Sequence, residues 1–261
     1  MALRIGLVTD IHHGPDTDVR VGSAAPELLA VFARRMREEF RPALIVDMGD
    51  RINDTEAAAD KARLAEVRGM LERAGVPVLY AWGNHDLINV KPAEGRAILG
   101  KHGDFETRDV AGHHLVVLNS QDPTIEQIGG TLSDGQLDWL EDDLKQGTSP
   151  TLIFCHHPLD EQDPSRHWYF RHHHDHARCH NRARARAVLA ASGRVRAVFN
   201  GHMHLNTVEV IDGIPYVTLM SLVDSGITDG PSGCYGEISI SDVGAIEVNI
   251  RGKLSLAVTF R

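Results

Sequence analysis

Five short polar motifs occur in a fixed order along this chain, and each follows a run of apolar residues. The motifs are Asp10-Ile11-His12, Gly49-Asp50, Gly83-Asn84-His85-Asp86, His156-His157 and Gly201-His202-Met203-His204. Carboxylates, imidazoles and a single Asn are typical ligands of divalent ions such as Mn, Fe, Zn or Mg. Each motif alone is common, but the ordered set predicts a hydrolytic site with two metal ions, built on the ends of strands.

The apolar runs are short and are typical of buried strands. They comprise residues 3–8, 43–48, 76–81, 114–118, 152–155 and 195–199. Helical patterns lie at residues 26–40, at 56–74, from 133 or 134 to 145, and at 181–191. Because strands and helices alternate, the sequence predicts an α/β fold.

The borders of some elements are also predicted. The helix at 56–74 should begin after Asp54 or Thr55 as its N-terminal cap and end before Gly75. Toward the C-terminus, a β-hairpin is expected at 208–211 and 214–219, with Asp212-Gly213 as its turn. Further strands are expected near 237–240, 245–250 and 254–260. With no repeat, linker or low-complexity segment, we expect one domain over residues 1–261.

Composition excludes some classes of function. The formal net charge of −9 argues against a protein that coats nucleic acid or an anionic membrane. Three widely spaced cysteines do not provide a disulfide framework, and a reducing compartment is the simplest interpretation. The N-terminal apolar run turns polar at Asp10, and no later run is long enough to span a bilayer. We therefore expect a cytoplasmic protein that binds neither membrane nor bulk nucleic acid.

Asp50 is the natural bridge between two metal ions. Divalent ions held roughly 3.5–4 Å apart need a shared carboxylate to offset their repulsion. Asp50 follows the apolar run at 43–48, and Gly49 allows close approach of the backbone. Its side chain should therefore project from the end of a strand, where α/β sheets bind ligands.

The first and last motifs contain pairs of side chains separated by one residue. Asp10 and His12 flank Ile11, so the period of an extended strand would direct both toward one ion. The same period applies to His202 and His204, but a bend after the strand would split them between two ions. Spacing alone does not decide between these two arrangements.

The five motifs resemble those of the calcineurin-like metallophosphoesterase superfamily, especially its class III cyclic-nucleotide phosphodiesterase and glycerophosphodiesterase branch. The resemblance spans residues 10–204. It implies a metallophosphoesterase four-layer sandwich, in which two mixed β-sheets are flanked by helices and the site lies at strand ends along one edge. It also implies two divalent metal ions, with Mn or Fe favoured and Zn, Co or Mg as alternatives.

The resemblance assigns a role to each motif residue. The first ion would be held by Asp10, His12, Asp50 and His204, and the second by Asp50, Asn84, His156 and His202. His85 would lie beside the substrate phosphate and give a hydrogen bond or a proton to the leaving oxygen. Asp86 would orient His85. A hydroxide bridging the two metal ions would attack phosphorus.

These roles predict a metal-dependent phosphoester hydrolase, and the resemblance favours a phosphodiesterase. A phosphomonoesterase with the same site is the first alternative. A metal-binding scaffold is a second alternative, because a fold does not determine a function. It is the more distant one, because every expected ligand is present here. The expected substrate is a small phosphoester, with nucleotides among the candidates, and assembly into a homo-oligomer is left open.

An insertion at about residues 163–180, rich in histidine, lies between the fourth and fifth motifs. As a lid over the site, it would stack Trp168 or Tyr169 on a base and place a His or Arg against a second phosphate. The alternative is a solvated segment in which His172, His176 and His180 share one helix face. The sequence does not distinguish a lid from a passive loop.

Overall fold

Two six-stranded β-sheets form the centre of the computed structural model, which describes residues 3–261. The first sheet has the spatial order β14 (Leu256–Phe260), β13 (Ile246–Arg251), β12 (Tyr235–Ile240), β1 (Leu3–Val8), β2 (Leu44–Asp47) and β3 (Val78–Tyr80). The second has the order β10 (Thr207–Ile211), β11 (Ile214–Thr218), β9 (Val195–Asn200), β8 (Thr151–Phe154), β5 (His113–Val117) and β4 (Glu106–Val110). A small two-stranded pair, β6 (Thr124–Ile125) and β7 (Gly129–Gly130), lies apart from both sheets. Met1 and Ala2 of the expected domain lie outside the described residues.

Both sheets are mixed, and their parallel strands determine where the motifs meet. β1, β2 and β3 pair in parallel, as do β5, β8, β9 and β11. The motifs follow the C-terminal ends of β1, β2, β3, β8 and β9. Because parallel neighbours end at the same edge of a sheet, the motifs within each sheet converge on that edge.

The two sheets pack face to face over a shared apolar core. Their facing strands contribute buried side chains such as Leu7, Val46, Phe154 and Phe199. The rings of Phe154 and Phe199 stack with their centroids 5.4 Å apart. Burial of each such side chain contributes about 1.5–3 kcal/mol, so this core fixes the position of one sheet against the other.

Helices cover the outer faces and complete the predicted four layers. α1 (Ala25–Arg35), α2 (Ala57–Glu72) and α3 (Pro92–Leu99) pack on the first sheet, whereas α4 (Asp134–Gln146) and α6 (Arg182–Ser192) pack on the second. A one-turn helix, α5 (His174–Ala177), lies in the histidine-rich insertion. Among residues 3–261, no helix has the length and apolar character needed to cross a bilayer.

The fold agrees with the sequence prediction apart from a few local differences. The helix expected at 26–40 changes at Met36 into a wider π-helical turn that ends at Phe40. β4 was not predicted, because its edge position leaves most of its side chains exposed and its sequence polar. α2 begins after Glu56, without a side-chain cap from Asp54 or Thr55.

Candidate metal centre

The loops that follow β1, β2 and β9 adopt an unusual backbone conformation at the motif residues. Positive φ angles occur at Asp10 (50°), His12 (45°), Asp50 (55°), His202 (67°) and His204 (48°). Such a conformation costs on the order of 1–3 kcal/mol for a non-glycine residue and tends to persist at functional sites. Asp10 and His12 therefore converge through left-handed turns. The prediction that an extended strand directs both side chains to one side is wrong, because β1 ends at Val8.

Two glycines allow these loops to approach each other closely. A Cβ atom on Gly83 would clash with the backbone nitrogen and the carboxylate of Asp50. A Cβ atom on Gly201 would clash with the hydroxyl of Thr9 and the carboxylate of Asp10. Glycine at both positions therefore lets neighbouring motifs pack without a side chain between them.

One cluster of ligand atoms contains Asp10, His12 and His204, with Asp50 at its border. His204 Nε2 lies 3.2 Å from Asp10 Oδ1 and 3.2 Å from His12 Nε2. His12 Nε2 lies 3.8 Å from Asp10 Oδ1 and 3.9 Å from Asp50 Oδ2. The ligand atoms of Asp10, His12 and His204 are close enough to share one metal ion.

A second cluster lies on the other side of Asp50. His156 Nε2 lies 3.4 Å from Asp50 Oδ2 and 3.2 Å from His202 Nδ1. Asn84 is buried, and its Oδ1 atom has no hydrogen-bond partner within the protein. His202 and His204 thus belong to different clusters, and Asp50 lies between the clusters as a bridging carboxylate would.

Hydrogen bonds outside the clusters orient three of the imidazoles. The outer ring nitrogens face acceptors: His156 Nδ1 is 2.9 Å from Met48 O, His202 Nε2 is 2.9 Å from His176 O, and His204 Nδ1 is 2.7 Å from Asp224 Oδ2. When the outer nitrogen donates its N–H, the inner nitrogen is left with a lone pair, as metal-binding histidines require. Together with the unpartnered oxygen of Asn84, this donor set fits two divalent metal ions.

Protons on two of the imidazoles balance the charge of the clustered carboxylates. Burial opposes charge on His156, but Asp50 outweighs burial and raises the pKa of His156 to about 9. In the same way, Asp10 and Asp224 outweigh burial and raise the pKa of His204 to about 9. Burial would raise the pKa of Asp50, but His156 and other nearby imidazoles hold that pKa well below its usual range. Protons and metal ions therefore compete for the same site.

His85 lies next to these clusters and is held by a carboxylate that the sequence did not identify. Its backbone N–H donates to Asp50 Oδ1 at 2.8 Å, and its Nδ1 is hydrogen-bonded to the carboxylate of Asp54. The sequence pattern indicates Asp54 as a helix cap, and its position four residues after Asp50 is the one sequence feature that relates it to the site. Asp54, and not Asp86, therefore orients the His85 ring.

The predicted role of Asp86 in orienting His85 is wrong because its carboxylate is engaged in the interior. Asp86 accepts hydrogen bonds from the backbone N–H groups of Gly83, Asp50 and Arg51 at 2.9–3.1 Å. It also accepts a bond from the buried guanidinium of Arg51 at 2.6 Å. Asp86 therefore joins the loop after β3 to the loop that carries Asp50.

Arg20 also reaches the site, with no motif to indicate it in the sequence. Its Nη1 atom lies 2.9 Å from His85 Nε2 and 3.4 Å from His12 Nδ1. Burial and the charge of Arg20 lower the pKa of His12 well below its usual value, which keeps His12 neutral. Among residues 3–261, no carboxylate forms an ion pair with Arg20, so its charge remains available to an anionic ligand.

The histidine-rich insertion lies over the site. Residues 167–170 line a cavity of about 220 Å³ together with Asp50, Asn84, His85 and Arg20. His172, His176 and His180 do not share a helix face, because α5 is a single turn and the chain leaves it at Arg178. The structure therefore favours the lid over the solvated helix face.

His157 is not in the proposed ligand set, although it lies near His156 and His202. Its Nε2 lies 2.7 Å from Ile128 O, and its Nδ1 lies 2.8 Å from Ser120 Oγ. Burial lowers the pKa of His157 to about 3. Both ring nitrogens thus have protein partners and neither is free for a metal ion.

Comparison with known proteins relates this chain to one family. A family model described as calcineurin-like phosphoesterase matches residues 3–206. The chain is 31% identical over 162 residues to a probable cyclic nucleotide phosphodiesterase of Synechococcus sp., an alignment that covers 60% of this chain and 59% of that protein. A probable cyclic nucleotide phosphodiesterase of Psychrobacter arcticus is 23% identical over 261 residues, covering 94% of this chain and 85% of the relative.

Solved structures with the same architecture include two phosphatases. A dimetal phosphatase from Danio rerio superposes with a TM-score of 0.80 at 18% identity, covering 99% of each chain. A purple acid phosphatase from yellow lupin superposes with a TM-score of 0.68 at 10% identity, covering 99% of this chain and 53% of that one. At these identities the comparison bears on the fold alone.

Proposed function

The chain belongs to the calcineurin-like phosphoesterase family, and we propose that it is a metal-dependent phosphoester hydrolase whose preferred substrates are phosphodiesters. The proposed metal ligands are Asp10, His12, Asp50 and His204 for one ion and Asp50, Asn84, His156 and His202 for the other. The observation that carries the proposal is the pair of ligand clusters on either side of Asp50, next to a cavity that continues beyond them. The metal preference is proposed to be Mn or Fe.

The chain's own residues orient the reacting groups. Two bound divalent ions would lower the pKa of a coordinated water and neutralise charge on the phosphoryl oxygens. Asp54 fixes the His85 ring through Nδ1, so Nε2 faces the cavity and, when protonated, gives its proton to the leaving oxygen. Arg20 would exchange its contact with His85 for a phosphoryl oxygen of the substrate.

The walls of the cavity support a diester over a monoester. Beyond the ligand clusters, the cavity is lined by apolar and aromatic side chains that include Val19, Ile128, Trp168 and Phe170. These walls would contact the second ester group of a phosphodiester, whereas a monoester would leave them unoccupied. The names of the curated relatives, probable cyclic nucleotide phosphodiesterases, support the same preference.

The experiment uses metal-stripped protein, reloaded in turn with Mn, Fe, Zn, Co or Mg. Initial rates are measured with bis-p-nitrophenyl phosphate and with p-nitrophenyl phosphate. We expect metal-dependent hydrolysis with a higher kcat/KM for the diester, and its loss in Asp50→Asn and His85→Ala. Asp142→Asn, an exposed carboxylate on α4, is the control and should retain full activity.

Two results would contradict the proposal. A higher kcat/KM for the monoester would make the protein a phosphomonoesterase. No turnover with any metal, by folded protein that binds two ions, would favour the scaffold alternative.

A further inference from the structure

Trp168 is an exposed aromatic side chain at the mouth of the cavity. Half of its surface (50%) is exposed, which makes it one of the few large apolar side chains on the described surface. It lines the cavity with the metal ligands, and it also lines a second groove of about 130 Å³. His167 and His204 also line both the cavity and the groove, so the groove continues from the metal centre past Trp168.

The segment that carries Trp168 is fixed to the metal centre. The Phe170 ring lies 4.9 Å from the His202 ring and packs with buried Met203 and Leu205. His202 Nε2 donates to the backbone oxygen of His176 at 2.9 Å, so the segment is also tied to a proposed ligand. The position of Trp168 relative to the reacting phosphorus is therefore determined by packing.

Two exposed arginines line the second groove, Arg166 and Arg171. Arg171 Nε donates to His172, and among residues 3–261 neither arginine forms an ion pair with a carboxylate. Asp224 also lines the groove, but its carboxylate is engaged by His204 and by the N–H of Gly226. In a chain with a net charge of −9, two unpaired guanidinium groups beside an aromatic platform fit an anionic group.

We infer that the substrate is a nucleotide phosphodiester whose base stacks on Trp168 and whose second phosphate binds Arg166 and Arg171. Each of the nucleobases offers a flat face to an indole ring, and a phosphate matches the planar fork of a guanidinium. The inference rests on the proposed function, because the reacting phosphodiester must lie at the metal centre for the base to reach Trp168.

Three probes with the same p-nitrophenolate leaving group test this inference. They are methyl p-nitrophenyl phosphate, thymidine 5′-(p-nitrophenyl phosphate) and the same thymidine ester with a 3′-phosphate. With Mn-loaded enzyme, we expect kcat/KM to rise about tenfold when the base is added, in the range for stacking of one base on an aromatic ring. We expect a further rise when the 3′-phosphate is added.

Variants separate the two contacts. Trp168→Ala should lower kcat/KM for the thymidine ester to about that for the methyl ester. Trp168→Phe should restore part of the difference. The double variant R166Q/R171Q should abolish the gain from the 3′-phosphate. R34Q/R108Q, which removes two exposed arginines on α1 and β4, is the charge-matched control and should keep that gain.

The outcomes distinguish this inference from the proposed function. The inference is overturned if the methyl ester is hydrolysed but Trp168→Ala keeps the gain in kcat/KM from the base, or R166Q/R171Q keeps the gain from the 3′-phosphate. Phosphodiester hydrolysis would then still stand. If none of the three esters is hydrolysed by metal-loaded protein, both proposals fail.

Discussion

At the scale of single residues, the pair of Asp54 and His85 is the clearest departure from what the motifs indicated. Asp54 bonds Nδ1 of His85, while the backbone N–H of His85 bonds Asp50. The His85 ring is thus fixed relative to the carboxylate of Asp50, the proposed bridge between the metal ions. A carboxylate that holds an imidazole in one orientation affects catalysis without contacting the substrate.

We predict that Asp54→Asn lowers kcat for the diester by about 10–100-fold, because the His85 ring loses the charged group that orients it. KM and the number of bound metal ions should change little, since Asp54 is not a proposed ligand. Steady-state kinetics and metal analysis measure these effects, with Asp142→Asn as the control. A variant that lost its metal ions would show that Asp54 acts on the metal site and not on His85.

The sequence identified side chains that belong to motifs and missed those that do not. The seven proposed ligands occur in compact motifs, and the structure brings them together, although through left-handed turns and not through extended strands. Arg20, Asp54 and Asp224 reach the site from loops whose conformation depends on tertiary packing. No spacing rule along the chain predicts the contacts of Arg20 and Asp224.

At the scale of elements, a buried ion cluster joins the loops after β2 and β3. The guanidinium of Arg51 contacts Asp47 Oδ2 at 2.7 Å, Asp86 Oδ2 at 2.6 Å and Ala81 O at 2.6 Å. All three charged side chains are buried. The cluster therefore fixes the loop that carries Asp50, and its carboxylates are needed to compensate a buried positive charge.

We predict that Asp86→Ala lowers the free energy of unfolding by about 3–5 kcal/mol, because Arg51 loses one of its two carboxylates and three backbone N–H groups lose their acceptor. Urea unfolding in EDTA measures the change without a contribution from bound metal. The control is Glu72→Ala, which removes an exposed partner of Arg68 and should cost about 1 kcal/mol or less. Equal losses in the two variants would contradict a structural role for the cluster.

Gly83 allows the loops after β2 and β3 to approach each other closely at Asp50. Gly83→Ala should weaken metal binding at least about tenfold, because the added Cβ clashes with Asp50 and displaces this proposed bridging carboxylate. Gly135→Ala, in the first turn of α4, meets no atom within 4 Å and should leave binding unchanged. Calorimetric titration with Mn compares the two variants. Unchanged affinity in Gly83→Ala would show that the loop adjusts without moving Asp50.

Elements with strong apolar patterns were predicted well from the sequence. The six apolar runs form β1, β2, β3, β5, β8 and β9, and the C-terminal hairpin forms β10 and β11. The edge strand β4 and the short helix α3 were not predicted. β4 is largely exposed and carries a polar sequence, and only Gly95 and Leu99 of α3 are buried, so neither has a strong periodic signal.

At the scale of the whole molecule, the metal centre depends on both sheets. Asp10, Asp50 and Asn84 follow strands of the first sheet, whereas His156 and His204 follow strands of the second. The two ligand clusters therefore exist only when the sheets are packed together. Metal ions bound there would stabilise this packing by binding the folded state alone.

We predict that the metal-free protein loses stability as the pH rises from about 6.5 to above 9, because nearby carboxylates outweigh the effect of burial and raise the pKa of His156 and His204 to about 9. A group whose pKa is higher in the folded state contributes its full stability below the unfolded pKa of about 6.5. That contribution is lost as the pH passes through the folded value. Thermal unfolding in EDTA should therefore give a falling Tm over this range.

Metal binding should change in the opposite direction, because a metal ion must displace the protons of His156 and His204. Over the same range, the apparent affinity for Mn should rise by up to about tenfold per pH unit for each proton displaced. The difference in Tm between Mn-loaded and metal-free protein should therefore widen with pH. Calorimetry in two buffers of different ionisation enthalpy would count the protons released on binding. If no protons were released at pH 7, the two imidazoles would already be neutral in the metal-free protein, and competition between protons and metal ions would be refuted.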